Sequence, residues 1–143
     1  MAKINHIISD LSRTVLFAKD SEYTGSLNAL YREVKNKKDF NFWDYYKLNH
    51  DLLQQYSDLK KNGISIYLFT TGTVQDDPAM EDAMSVFDNI FTDANVGSLK
   101  KDNPELFKTI CKKIEADPDT VLHIDDNPAF ISTARTAGLK VLQ

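Results

Sequence analysis

Short apolar runs that alternate with segments of helical spacing constrain the fold of this chain more than anything else in its sequence. INHIIS (4–9), ISIYLF (64–69), TVLHI (120–124) and LKVL (139–142) are too short for helices and rich in Ile, Val or Leu. Polar or turn residues bound them, as they bound buried strands. NIFTD (89–93) reads as a further short strand. Between these runs, residues 47–62 carry Leu48, Leu52, Leu53, Tyr56 and Leu59 at helical spacing and stop at Asn62-Gly63, where glycine can take the left-handed helix-ending conformation. PAMEDAMSVF (78–87) has Asp77 to cap it and Pro78 at its first position. NPELFKTICKKI (103–114) has Asn103 and Pro104 in the same roles, with Leu106, Ile110 and Ile114 on one stripe, and PAFISTARTA (128–137) is a helix closed by Gly138. Strands alternating with helices across short loops predict an α/β fold, a parallel sheet covered on both faces.

A chain of 143 residues has room for one such domain and its single core. With 42% apolar and 27% charged residues, it is neither a disordered nor a collagen-like sequence. No apolar stretch approaches the roughly 20 residues that span a bilayer. The lone Cys111 forms no internal disulfide, and the expected location is cytoplasmic. Net charge is −4, and the basic residues are scattered apart from short runs such as KNKK (35–38) and LKK (99–101), too sparse for a nucleic-acid footprint. Residues 17–46 break the rhythm. Within them DFNFWDYY (39–46) gathers Phe40, Phe42, Trp43, Tyr45 and Tyr46, which reads as a small helical excursion packed on the sheet's edge, or as a lid or partner surface.

In open parallel sheets, ligands bind beyond the carboxyl ends of the strands. The first strand here ends at Asp10, the second at Thr70 and Thr71, and TVLHI ends at Asp125 and Asp126, while Lys100 and Lys101 stand just before the helix that begins near 104. Singly, each has a plainer role as a turn residue, helix cap or solvated charge. Together, a carboxylate, a hydroxyl, an ammonium and an acidic pair on one rim suit a phosphoryl group with a divalent cation. Carboxylate oxygens hold Mg²⁺, and Thr and Lys hold phosphate oxygens. His6 and His123 alternate with apolar neighbours and are expected to pack structurally, and His50 is expected on a helix surface.

The order of these segments resembles the haloacid dehalogenase (HAD) superfamily of aspartate-nucleophile hydrolases. DLSRTVL (10–16) resembles the first family motif, LFTTG (68–72) the second, KDNPELF (101–107) the third and HIDDNPAFISTARTAGLK (123–140) the fourth. Receiver domains of two-component signalling also combine acidic residues, Thr and Lys, but place the acidic pair after the first strand. The resemblance implies a single HAD-like domain over 1–143. This would be a Rossmann-like three-layer sandwich with a small cap-like helical insertion at about 17–46. It also implies Asp10 as the nucleophile that forms an aspartyl-phosphate, Thr70 on the phosphoryl oxygens, and Lys101 (Lys100 being the alternative in register) neutralising charge. Mg²⁺ would lie among Asp10, Asp125 and Asp126, and Ser12, Thr71 and Gly72 would lie against the substrate.

The first motif departs from the family at one position that matters. Phosphatases of the family usually carry a second Asp two residues after the nucleophile, to protonate the leaving group and then activate water; this chain has Ser12 there, and Arg13 where Gly is usual. Losing a general acid/base costs roughly 10²- to 10⁴-fold in rate. Three readings follow: a slow hydrolase, or one restricted to leaving groups that need no proton, such as acyl phosphates; a degenerate protein that binds phosphate, Mg²⁺ or a protein partner without turnover; and a chain whose phospho-aspartate persists. Haloacid dehalogenases also lack the second Asp, but have a larger cap. The expected partner is a small phosphorylated molecule or a macromolecular substrate.

Overall fold

The computed structural model describes residues 3–97 and 101–143. Its central sheet has five parallel strands, β1 (His6–Ser9), β4 (Ser65–Phe69), β5 (Asn89–Phe91), β6 (Val121–Ile124) and β7 (Lys140–Leu142), in the order β5-β4-β1-β6-β7. The order reverses beside β1, so the loops after β1, β4 and β6 open onto one crevice, and Ser9 lies in register with Leu68 on one side and Ile124 on the other. Asp10, Thr70 and Asp125 therefore leave the sheet at the same level.

Successive residues on a strand face opposite ways, which builds two cores. Ile7, Ile66 and Leu68 point to one side and pack with Tyr56 of α2 (His50–Lys61), Met80 and Met84. Ile8, Phe69 and Val121 point to the other and pack with Leu106, Phe107 and Ile110 of α4 (Pro104–Lys113) and Ala134 of α5 (Pro128–Thr136). The result is the three-layer sandwich expected from the alternation of elements.

Several local expectations are corrected. The helix expected over 47–62 begins at His50. Asn49 caps it by accepting the Leu52 N–H at 3.1 Å, and Tyr46–Leu48 forms strand β3 instead. The helix expected over 78–87 splits: Asp77 accepts the Ala79 N–H at 2.9 Å as a cap, a 3₁₀ turn occupies Pro78–Met80, and only Glu81–Met84 (α3) is α-helical. The strand expected over 89–93 ends at Phe91, since Thr92 caps a 3₁₀ turn over Asp93–Val96.

Residues 17–46 hold one helix, α1 (Leu27–Val34), and a 3₁₀ turn over Phe42–Asp44. They are anchored by an antiparallel ribbon that the sequence did not suggest, β2 (Leu16–Ala18) against β3. The aromatics of this segment are mostly internal. Phe42 stacks on Tyr46 with centroids 4.5 Å apart, Phe40 stacks on Tyr45 at 5.9 Å, and the Tyr46 hydroxyl donates to the Leu27 carbonyl at 2.7 Å. Trp43 and Leu142 are the exposed large apolar side chains among the described residues.

Candidate active site

Beyond the strand ends lies a cavity of about 590 Å³, lined by Asp10, Ser12, Arg13, Asn28, Phe69, Thr70, Thr71, Asp93, Lys101, Asp125, Asp126 and Phe130. Asp10 follows β1 directly, and its amide donates to the Ile124 carbonyl at 2.9 Å, so the neighbouring strand fixes its backbone. The Lys101 ammonium donates to Asp10 Oδ1 at 2.5 Å and to Asp125 Oδ2 at 3.0 Å, joining three strand-end loops through one cation. Asp10 Oδ2 accepts from Thr14 Oγ1 at 3.3 Å. Asp125 Oδ1 accepts the Asn127 N–H at 3.0 Å, which locks the turn into α5. Oxygens of Asp10, Asp125 and Asp126 all lie within 4.8 Å of one another.

These contacts sort the carboxylates. Burial raises the Asp10 carboxyl to about 6; Lys101 pulls it down, and the charges of Asp125 and Asp126 push it up again. Asp125 moves the opposite way. Its burial is outweighed by hydrogen bonds from His123, Lys101 and the Asn127 N–H, which hold it well below the usual carboxylate range. Asp126, at the exposed edge, is raised by desolvation and by its hydrogen bond to Asp125.

A carboxyl raised in the folded state favours folding when protonated, so Asp10 costs stability as pH rises from its unfolded value near 4 through about 6. Asp125, depressed, acts below that window, where its contribution is lost on acidification. In EDTA, the parent should therefore lose about 2 kcal/mol more than Asp10→Asn between pH 4 and pH 7. Denaturant midpoints of the two proteins at both pH values measure the difference, and parallel pH profiles would contradict the environment assigned to Asp10.

Of the residues expected at the site, Asp10, Ser12, Thr70, Thr71, Lys101, Asp125 and Asp126 all line the cavity. Thr70 is buried, with its hydroxyl donating to the Thr71 carbonyl at 3.3 Å. Gly72 does not itself line the cavity; it stands next to Thr71, which does, with φ at +82°. Lys100 lies outside the described residues.

Other lining residues carried no signal in the sequence. Asn28 comes from α1, Asp93 from the turn after β5, and Phe130 from α5, its ring centroid 5.4 Å from the Lys101 nitrogen. His123 is buried, as its position in an apolar run implied, but it also touches the site: Nδ1 faces the Ile8 carbonyl at 3.0 Å and Nε2 faces Asp125 Oδ2 at 3.1 Å. His6 stacks on Tyr67 at 6.1 Å, and His50 is exposed at the start of α2.

The parallel α/β sheet thus brings an aspartate after its first strand, a lysine bridging two carboxylates and an acidic pair after β6 to one cavity. A protein-family model described as a haloacid dehalogenase-like hydrolase matches residues 8–138, and the chain belongs to that family. It is 28% identical over 102 residues to the enolase-phosphatase E1 of Aquifex aeolicus, which covers 67% of this chain and 44% of that protein. The chain thus spans less than half the length of this curated relative. Among solved structures, it resembles a HAD family enzyme of Bacteroides thetaiotaomicron in complex with magnesium and inorganic phosphate, with a TM-score of 0.70 and 14% identity over 98% of this chain and 93% of that one. It also resembles a HAD-superfamily hydrolase of Geobacter sulfurreducens, with a TM-score of 0.66 and 15% identity over 96% and 88% of the two chains. These structural likenesses concern the fold. No helix among the described residues is long and apolar enough to cross a membrane.

Proposed function

We propose that this chain is a Mg²⁺-dependent phosphohydrolase that works through an aspartyl-phosphate on Asp10 and favours small acyl phosphates over phosphate esters of alcohols. The observation that carries the reading is the convergence of Asp10, Lys101, Asp125 and Asp126 on one cavity that also holds Ser12. The donor set suits the cation. Three carboxylates gather around one ammonium, which leaves an excess of negative charge, and oxygen-only donors are those Mg²⁺ prefers. Asp10, Asp125 and Asp126 would hold it, and bound there it would offset the charge of an incoming phosphate.

In this reading the Asp10 carboxylate attacks phosphorus. The Asp10 oxygen–phosphorus bond forms as the bond from phosphorus to the leaving oxygen breaks, and an acyl group departs as a carboxylate with no proton required. Lys101, on Asp10 Oδ1, keeps that side chain oriented, and the Thr70 hydroxyl, on the same cavity wall, would accompany the phosphoryl oxygens. Water then attacks phosphorus, returning Asp10 and releasing inorganic phosphate. This second step is slow, because the Ser12 hydroxyl is too weak a base to take the water's proton. The cavity volume falls in the range of small-molecule sites, which supports a metabolite-sized substrate.

The test compares acetyl phosphate with glycerol phosphate in Mg²⁺ and in EDTA. Acetyl phosphate should be hydrolysed only with Mg²⁺, with kcat/KM at least about 100-fold above that for glycerol phosphate, the lower end of what a missing general acid costs. Equal turnover of both substrates would overturn the selectivity. No turnover, with no binding of Mg²⁺ or BeF₃⁻, would overturn the reading.

A further inference from the structure

Where the insertion meets the loop after β4 stands a side chain that no motif contains. Asn28, in the first turn of α1, donates from Nδ2 to the Thr71 carbonyl at 3.0 Å, and its Oδ1 accepts the N–H groups of Thr73 and Val74, each at 3.0 Å. One amide thus spans the loop from Thr71 to Val74, supplying the backbone partners that a tight turn cannot supply itself.

Gly72 sits beneath it. A Cβ at that position would lie 2.3 Å from Asn28 Cγ, 2.4 Å from Oδ1 and 2.5 Å from Nδ2, and φ is +82°. The glycine is therefore required both for the backbone conformation and for clearance under the amide. Two further ties hold the insertion: the Tyr31 hydroxyl donates to Asp77 Oδ2, beyond that loop, at 2.8 Å, and Arg13, at φ +59°, donates from Nη2 to the Gly25 carbonyl at 2.6 Å.

We propose that Asn28 is a positioning residue. It pins α1 to the Thr71–Val74 segment, so that the insertion is a fixed wall of the cavity, and it holds that loop in the shape that presents Thr70 and Thr71 to a phosphoryl group. The part concerning phosphate rests on the proposed function; the pinning does not.

The experiment reads both parts separately. Amide hydrogen exchange by NMR at Thr73 and Val74 should be at least tenfold slower in the parent than in Asn28→Ala. Asn28→Asp, which keeps the acceptor and loses the donor, should retain most of that protection. Acetyl phosphate KM, or the Kd of BeF₃⁻ with Mg²⁺, should rise about tenfold in Asn28→Ala with kcat changed less, and Asn28→Asp should recover part of the loss. Gly72→Ala should mimic the KM defect, and Asn28→Ala should relieve part of it in the double variant, a coupling that unrelated destabilisation does not produce.

Equal exchange at these amides in parent and Asn28→Ala would overturn the pinning whatever the activity. Protected amides with KM and Kd unchanged in Asn28→Ala would leave the wall and overturn the positioning role. Protected amides in a parent that neither binds BeF₃⁻ nor turns over acetyl phosphate would overturn the proposed function and leave the pinning standing.

Discussion

Asp10→Asn should abolish turnover of acetyl phosphate, a fall on the order of 10⁶-fold, the scale at which a hydrolase that loses its nucleophile returns to background. The substitution isolates the chemistry. Asparagine keeps the size of the side chain and an oxygen that can accept from Lys101, which holds Asp10 Oδ1 at 2.5 Å in the parent. Packing around β1 is untouched, because Leu11 and Ile8, not Asp10, fill the two cores there. What disappears is a carboxylate able to form a bond to phosphorus. It also leaves a site where three buried or clustered acids share one ammonium, so folding should be no worse at neutral pH. Intact-protein mass after exposure to acetyl phosphate supplies a second readout: the parent gains one phosphoryl group and the variant gains none. A variant that keeps more than a tenth of the parent rate would place the nucleophile elsewhere.

The parts of this protein that are legible in its sequence are those whose physics is local. The central parallel strands β1, β4 and β6 are largely buried, so each is a continuous apolar run, and the residue that ends the run is the first to meet the crevice. Asp10, Thr70 and Asp125 are exposed to reading for that reason, and Asn103 announces its helix by a short-range cap at 3.0 Å. The ribbon of β2 and β3 is not legible, since each strand has three residues and the pairing joins Leu16 to Leu48 across the whole insertion. Leu48 fits a helical stripe by spacing, but Asn49 starts the helix beyond it, a capping choice that overrides periodicity. The walls of the cavity are hidden for the same reason. Asn28 reaches a loop 43 residues away, and Asp93 and Phe130 look like an ordinary turn residue and an ordinary helix residue until the fold brings them to the rim. His123 is half legible: alternation buries it and puts it on the same side as Asp125, but the Ile8 carbonyl that holds its Nδ1 comes only with the register of β6 beside β1.

Ser12→Asp should raise hydrolysis of an alcohol phosphate such as glycerol phosphate by about 10²- to 10⁴-fold, the contribution of one well-placed general acid/base. Ser12 lines the same cavity as Asp10, and a bridge to Leu16 together with the Arg13 N–H bond to the Leu16 carbonyl at 2.8 Å fixes its backbone. A carboxyl introduced there enters a preformed position. It would protonate the departing alkoxide, which serine cannot do, and then take the proton of the water that attacks the aspartyl-phosphate. The second effect separates this account from a general gain in binding. The parent, given acetyl phosphate, should accumulate the phosphorylated form, whereas Ser12→Asp should clear it and show a correspondingly shorter burst. The added negative charge beside Asp10, Asp125 and Asp126 should also sharpen the requirement for Mg²⁺. If Ser12→Asp binds BeF₃⁻ as the parent does but hydrolyses glycerol phosphate no faster, the missing acid/base is not what limits this site. Asp93, the remaining carboxylate on the cavity wall among the described residues, would then be the group to replace next.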